Sequence, residues 1–136
     1  MLQDVVTPTG PYRLRLMARS GLWRGALTGG RSAAAFQRPD GRVVVRASDE
    51  EGLATARFML ALDDETAEFH DRFARDPLLG PSCVALRGYR TLRLATVTHA
   101  AVRAICGQLI ESRRARAIER SIAAACGDPV VDRDAL

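Results

Sequence analysis

AVRAICGQLIESRRARAIERSI, residues 101–122, is the stretch whose reading decides the fold. Val102, Ile105, Cys106, Leu109 and Ile110 recur at three- and four-residue spacing, so one stripe of a helix is apolar and has to be buried. Thr98 stands where an N-cap belongs. Further on, Ala115, Ile118, Ile122 and Ala125 repeat the stripe, while Arg113, Arg116 and Arg120 fall together on another face. Gly107, Gln108 and Leu109 lie at the join. A glycine inside a helix is unfavourable by about 1 kcal/mol relative to alanine, and Ser112 is a fair cap for a new helix. The spacing therefore predicts two helices meeting between residues 108 and 112, with Leu109 at an exposed corner.

Upstream of that pair the pattern stays helical back to residue 63. Asp63 or Asp64 caps a segment in which Thr66, Phe69, His70 and Phe73 share a face, and Asp76-Pro77 starts another, proline being harmless where its missing donor has no partner anyway. Gly80-Pro81 interrupts or restarts that segment, and residues 87–90 read as a loop. Before residue 62 the period changes. After a flexible lead to Gly10, Tyr12, Leu14 and Leu16 alternate with Arg13 and Arg15 as in a half-buried strand over residues 11–17. Residues 22–27 sit among glycines and fit either a short helical turn or a strand. Residues 33–38 and 42–47 flank Pro39-Asp40-Gly41, whose turn chemistry makes a hairpin. Ser48 with Glu51 forms a capping box, and Leu53, Ala56, Met59 and Leu60 follow as the buried stripe of a helix. The expected fold class is α+β: a small antiparallel sheet with a packed helix over residues 1–62, then an all-helical segment over 63–136. Gly127-Asp128-Pro129 and the residues after it look like the cap and first turn of a further helix, so the helical domain reads as incomplete.

Composition bounds the function. Hydrophobic residues at 47% and charged residues at 26% are globular values. No run approaches the roughly 18 apolar residues of a membrane span, and the start has no basic region followed by an apolar core, so a cytoplasmic location is expected. All 20 basic residues are arginine, for a net charge of +4. Arginine suits phosphate because its planar fork binds bidentately; an alanine- and arginine-rich chain is also what a GC-rich genome encodes. Cys83, Cys106 and Cys126 are widely spaced and lack histidine partners, which suggests core thiols and neither a disulfide framework nor a zinc site. No metal and no cofactor are expected.

With those residues in view, AVRAICGQLIESRRARAI resembles the helical entry to the catalytic domain of alkylation-repair DNA glycosylases, the 3-methyladenine type of the helix-hairpin-helix superfamily. Arg103, Ala104, Ile105, Gly107 and Gln108 match the family's motif, and Leu109 takes the position of its apolar wedge; Glu111 departs from the small hydroxyl residue often found there. Residues 61–81, ALDDETAEFHDRFARDPLLGP, resemble the family's connection from its amino-terminal domain. The resemblance implies the front portion of an enzyme that hydrolyses the N-glycosidic bond of alkylated bases in double-stranded DNA. It also implies that the phosphate-binding Gly-rich hairpin and the catalytic Asp lie downstream of the residues present. Asp128, Asp132 and Asp134 follow no such hairpin, so no catalytic residue is assigned and the chain is expected to be inactive alone.

Gln108, Leu109, Arg113, Arg116 and Arg120 are then the candidate DNA-binding residues. The arginine stripe reads equally as a solvated helix face or as a phosphate contact. Trp23 fits a core anchor or a base-stacking platform, and His70 and His99 fit ordinary helix positions. A second class of function stays open: a small non-catalytic α+β domain that binds DNA or another protein through its helix face.

Overall fold

The computed structural model describes residues 1–108 and 110–129. Leu109, and with it the wedge expectation, lies outside the described residues, as do Asp132 and Asp134. The order of elements is β1 (Leu2–Val6), β2 (Leu22–Ala26), β3 (Ser32–Gln37), β4 (Val43–Ala47), α1 (Glu50–Met59), α2 (Ala67–Phe73), α3 (Gly80–Ala85), α4 (Val97–Cys106) and α5 (Ser112–Cys126). Four antiparallel strands in the order β1-β4-β3-β2, with helices after them, make an α+β fold.

The expected hairpin is β3–β4, closed by hydrogen bonds from Arg38 N to Arg42 O at 2.8 Å and from Gly41 N to Arg38 O at 3.0 Å. Alternation puts Ala33 and Ala35 of β3, Val43, Val45 and Ala47 of β4, and Trp23 of β2 in one buried layer. Against that layer lie Ala56 and Met59 of α1, followed by Leu60 and Leu62. Small side chains on both surfaces let the helix approach closely. Trp23 is core, and its indole lies along its own strand over Gly25, where a β-carbon would fall 2.5 Å from the ring.

Several local expectations are corrected. The lead is not loose: residues 2–6 pair with β4 in the register Val5 to Val44, which covers an otherwise open edge. Residues 22–26, left open between turn and strand, are a strand paired with β3. The alternation at residues 11–17 is not a strand. Tyr12 and Leu14 are buried, yet Leu14–Leu16 form a 3-10 turn. The Gln37 side chain takes the place of a ladder, accepting from Leu14 N at 3.0 Å and donating to Tyr12 O at 2.9 Å.

The caps move as well. Asp49, not Ser48, caps α1 by accepting from Gly52 N at 2.7 Å, and Arg31 holds its other oxygen at 2.8 Å. Those bonds, the Gly52 amide first, hold the Asp49 carboxyl below its ordinary value. The cap of α2 is Thr66 without a side-chain bond, and neither Asp63 nor Asp64 serves; Glu65 Oε1 accepts from Ala67 N at 2.6 Å instead. Asp76 does not start a helix: its Oδ1 accepts from Leu78 N and Leu79 N, each at 2.8 Å, folding a turn that delays α3 to Gly80. Phe69 stands exposed beside Phe73, while His70 is buried. Cys83 and Cys106 are core thiols, but Cys126 is exposed.

One residue joins the helical half to the sheet. Arg90 is 3% exposed and donates to the carbonyls of Ala61, Leu62, Thr9 and Pro11, with its guanidinium 5.0 Å from the centre of the Tyr12 ring. The Tyr12 hydroxyl donates to Leu60 O at 3.2 Å. Burial lowers the Arg90 pKa and raises that of Tyr12 well above its ordinary value, the nearby cation working against the latter. Gly88 makes the approach possible. Its φ of +90° suits glycine, its carbonyl accepts from Arg13 N at 2.8 Å, and a β-carbon there would meet that nitrogen at 3.0 Å.

Arg90→Met should therefore destabilise the chain by about 3 kcal/mol or more, because buried carbonyls lose a charged donor and each unsatisfied one costs roughly 1–3 kcal/mol. Arg90→Lys should fall between. Urea unfolding followed by Trp23 fluorescence gives both numbers, and a loss under about 1 kcal/mol for Arg90→Met would remove this residue from its central place.

Candidate nucleic-acid interface

Helices α4 and α5 pack mainly on each other. Thr96, not Thr98, caps α4: it takes an extended conformation and its Oγ1 accepts from His99 N at 3.1 Å. Two threonines two residues apart offer the same cap chemistry, and the chain conformation selects the earlier. Helix α4 ends at Cys106, with Gly107 N donating to Arg103 O at 2.9 Å and Gln108 N to Ile105 O at 3.2 Å. The break expected between residues 108 and 112 is present. Glu111, not Ser112, is the N-cap of α5, and its side chain makes no capping bond.

Cys106 and Ala115 are buried between the two helices. The expected burial of Ile105 is not observed: it is 68% exposed. A stripe of five apolar residues is wider than one crossing helix can cover, so the contact goes to Cys106 and turns Ile105 away. Ile110, Ile118 and Ile122 are partly exposed for the same reason.

A clamp that sequence reading missed closes the pair. Glu119 of α5 accepts from Arg103 Nε at 3.1 Å and meets His99 Nε2 at 2.7 Å, with Arg103 Nη2 at 3.0 Å. Its side chain is 12% exposed. The Arg103 hydrogen bond, then that of His99, holds its carboxyl below the usual glutamate value against the opposing effect of burial. The available signal was the i, i+4 spacing of His99 and Arg103, which puts both on one face.

Another face of α5 carries the candidate arginines. Arg113, Arg116 and Arg120 line one shallow groove of about 600 Å³ with Glu111 and Ser112. None of the three has a hydrogen bond or ion pair among the described residues. Gln108 is exposed at the turn that leads to them. Two features of this helix start are unfavourable in isolation. Arg113 and Arg114 occupy a first turn with no acidic residue, where cations oppose the helix dipole by about 0.3–1 kcal/mol each, and no side chain caps the free amides. An anion at this end reverses both effects, since free amides and guanidiniums are all donors.

Another cleft, about 590 Å³, lies between α2, α3 and the segment around Arg90. It is lined mostly by apolar groups; His70 faces it with Nδ1 on Cys83 O at 3.1 Å, a structural bond that fixes the ring. Among the described residues, no group of three or more His, Cys, Asp or Glu could hold a metal ion, and no helix is long and apolar enough to cross a membrane.

The sequence matches no protein-family model and no curated protein. Among solved structures, the 3-methyladenine DNA-glycosylase from Archaeoglobus fulgidus matches with a TM-score of 0.73 and 19% identity, over 100% of this chain and 54% of that one. The chain thus shares that protein's fold along its whole length and spans about half of it.

The Glu119 clamp gives a pH prediction. A depressed carboxyl pKa contributes stability that is present above the unfolded glutamate value, near 4.3, and is lost as pH falls through the lower folded value. Melting followed by circular dichroism should show Glu119→Gln lowering Tm at pH 7. It should also narrow the gap between pH 7 and pH 3, without closing it, because Asp40, Asp49 and Asp76 are depressed too. An unchanged gap would show that the clamp does not hold the helices together.

Proposed function

We propose that this chain is the front portion of a DNA glycosylase of the 3-methyladenine type, an enzyme of base excision repair, and that it engages double-stranded DNA containing alkylated bases through the turn between α4 and α5. One observation carries the reading: three guanidiniums without partners among the described residues lie along one face of a helix whose N-cap side chain makes no capping bond, in a chain that shares over its full length the fold of a 3-methyladenine DNA-glycosylase. In this reading residues 1–62 are the amino-terminal α+β domain and residues 63–136 open the catalytic domain, in a cytoplasmic protein. Arg113, Arg116 and Arg120 neutralise backbone phosphates and release counterions. Gln108 is exposed where α4 ends, and the family motif gives Leu109 the part of filling the gap left when a nucleotide is flipped out.

Bond cleavage needs more than this. A carboxylate must stabilise the positive charge that develops on the sugar as the glycosidic bond breaks. Asp128 lies just past α5, and no Gly-rich hairpin precedes it in sequence. The part assigned to these residues is therefore DNA engagement, with neither metal nor cofactor.

A second reading, a protein-interaction domain, is favoured by the exposed apolar residues of the helix pair, Val97 at 87% and Ile105 above all. The two separate on measurement. For the first, R113Q/R116Q/R120Q should flatten the dependence of log K on log salt for duplex DNA by about 2–3, roughly 0.9 per phosphate contact. The purified chain should release no base from alkylated DNA. DNA binding indifferent to the triple substitution, together with self-association abolished by Ile105→Ser, would favour the second; base release above a blank would overturn the assignment of the carboxylates.

A further inference from the structure

Several arginines of the sheet half are closed onto local partners. Arg31 pairs with Asp49 and Glu51, Arg42 with Asp40, and Arg57 with Asp4 and Asp63. Arg46 reaches Gln3 and lies over the Phe36 ring. Arg13, Arg15, Arg19 and Arg24 have no side-chain hydrogen bond or ion pair among the described residues, and of these Arg13 and Arg15 lie together. They flank the buried Leu14 of the 3-10 turn and line a groove of about 620 Å³ together with Ser20, Gln37 and Arg38. Arg38 is only loosely committed. Its Nε lies 3.6 Å from Asp40 Oδ2, an oxygen that already takes bonds of 2.9 and 2.7 Å from Arg42. Among the described residues, no carboxylate lines this groove.

The floor is polar but already satisfied. The Gln37 amide accepts from Leu14 N and donates to Tyr12 O and Gly41 O, and Ser20 Oγ donates to Leu22 O at 3.1 Å. A ligand here meets three guanidiniums and little free hydrogen-bonding capacity beneath them. Such a surface recognises charge and does not read base edges. The stem of Arg15 lies against Gly21, so the arm is supported while the residue stays exposed.

We propose that Arg13, Arg15 and Arg38 form a second, sequence-independent phosphate-binding surface, which holds the phosphodiester backbone of duplex DNA to the sheet half while the α5 face holds it to the helical half. This extends the DNA reading above and rests on it. When one duplex spans both faces the two contacts are linked, and the affinity of the chain then exceeds that of either face alone.

Fluorescence anisotropy of a labelled duplex, titrated between about 50 and 200 mM salt, tests it. R13Q/R15Q/R38Q should lower the salt slope by about 2–3, with R13Q and R15Q alone each removing about one. R13K/R15K/R38K should keep most of the slope, since it keeps the charge. The substituted side chains are outside the core, and circular dichroism checks that each variant is folded. A slope untouched by the groove substitutions but lowered by R113Q/R116Q/R120Q would overturn this inference and leave the α5 face standing. A slope lowered by the groove substitutions alone would support the groove and overturn the role of α5. Wild-type chain with no salt-dependent DNA binding would overturn both.

Discussion

The buried guanidinium of Arg90 is the constraint on which the rest depends. It draws carbonyls from two places far apart in sequence, Thr9 and Pro11 before the 3-10 turn and Ala61 and Leu62 after α1, onto one planar fork. No carboxylate accepts from it directly among the described residues; Asp64, Glu65 and Asp63 act on it only through their field. A cation held by backbone carbonyls in this way fixes chain direction as well as distance, because each carbonyl has to point inward. Ala61 shows the consequence. It closes α1 in the left-handed region at φ 53°, with Ala61 N on Phe58 O and Leu62 N on Arg57 O. A non-glycine residue is unfavourable there by about 1–2 kcal/mol, and the charged donor on its carbonyl offsets that strain. The helices after residue 62 take their origin from this point.

Arginine has three separate physical roles in this chain. Arg90 is structural and dry. Arg31, Arg57 and Arg93 tie one element to another through carboxylates at the surface, as Arg93 does with Asp64 at 2.8 Å, and such half-exposed pairs contribute little stability individually, whereas Arg103 meets a Glu119 side chain only 12% exposed. Arg13 and Arg15 on the sheet half, and Arg113, Arg116 and Arg120 on α5, are left without partners among the described residues and share grooves with like charges. Like charges brought together are unfavourable in the free protein. A polyanion removes that repulsion and releases its own counterions in the same event.

The α4–α5 pair combines a firm inner seam with an unfinished outer surface. Cys106, Ala115 and the Glu119 clamp hold the helices to each other, while Ile105 and Val97 face outward.

Much of this was legible in the residues. Period-two alternation with Pro39-Asp40-Gly41 determined the β3–β4 hairpin, and period 3.6 with a glycine at the join determined that residues 97–126 form two helices and not one. The common face of Arg113, Arg116 and Arg120 follows from helical geometry alone. These are local facts, set by side-chain spacing and backbone preference within a few residues. Only tertiary structure decided which threonine or aspartate caps a helix, because neighbouring residues carry the same acceptor and long-range contacts choose between them. It also decided that the alternation of Tyr12 and Leu14 is served by a Gln37 side chain and not by a strand, and that Arg90 is buried while Ile105 is not. Those outcomes turn on partners 23 to 81 positions away in the chain, and no window of sequence contains them.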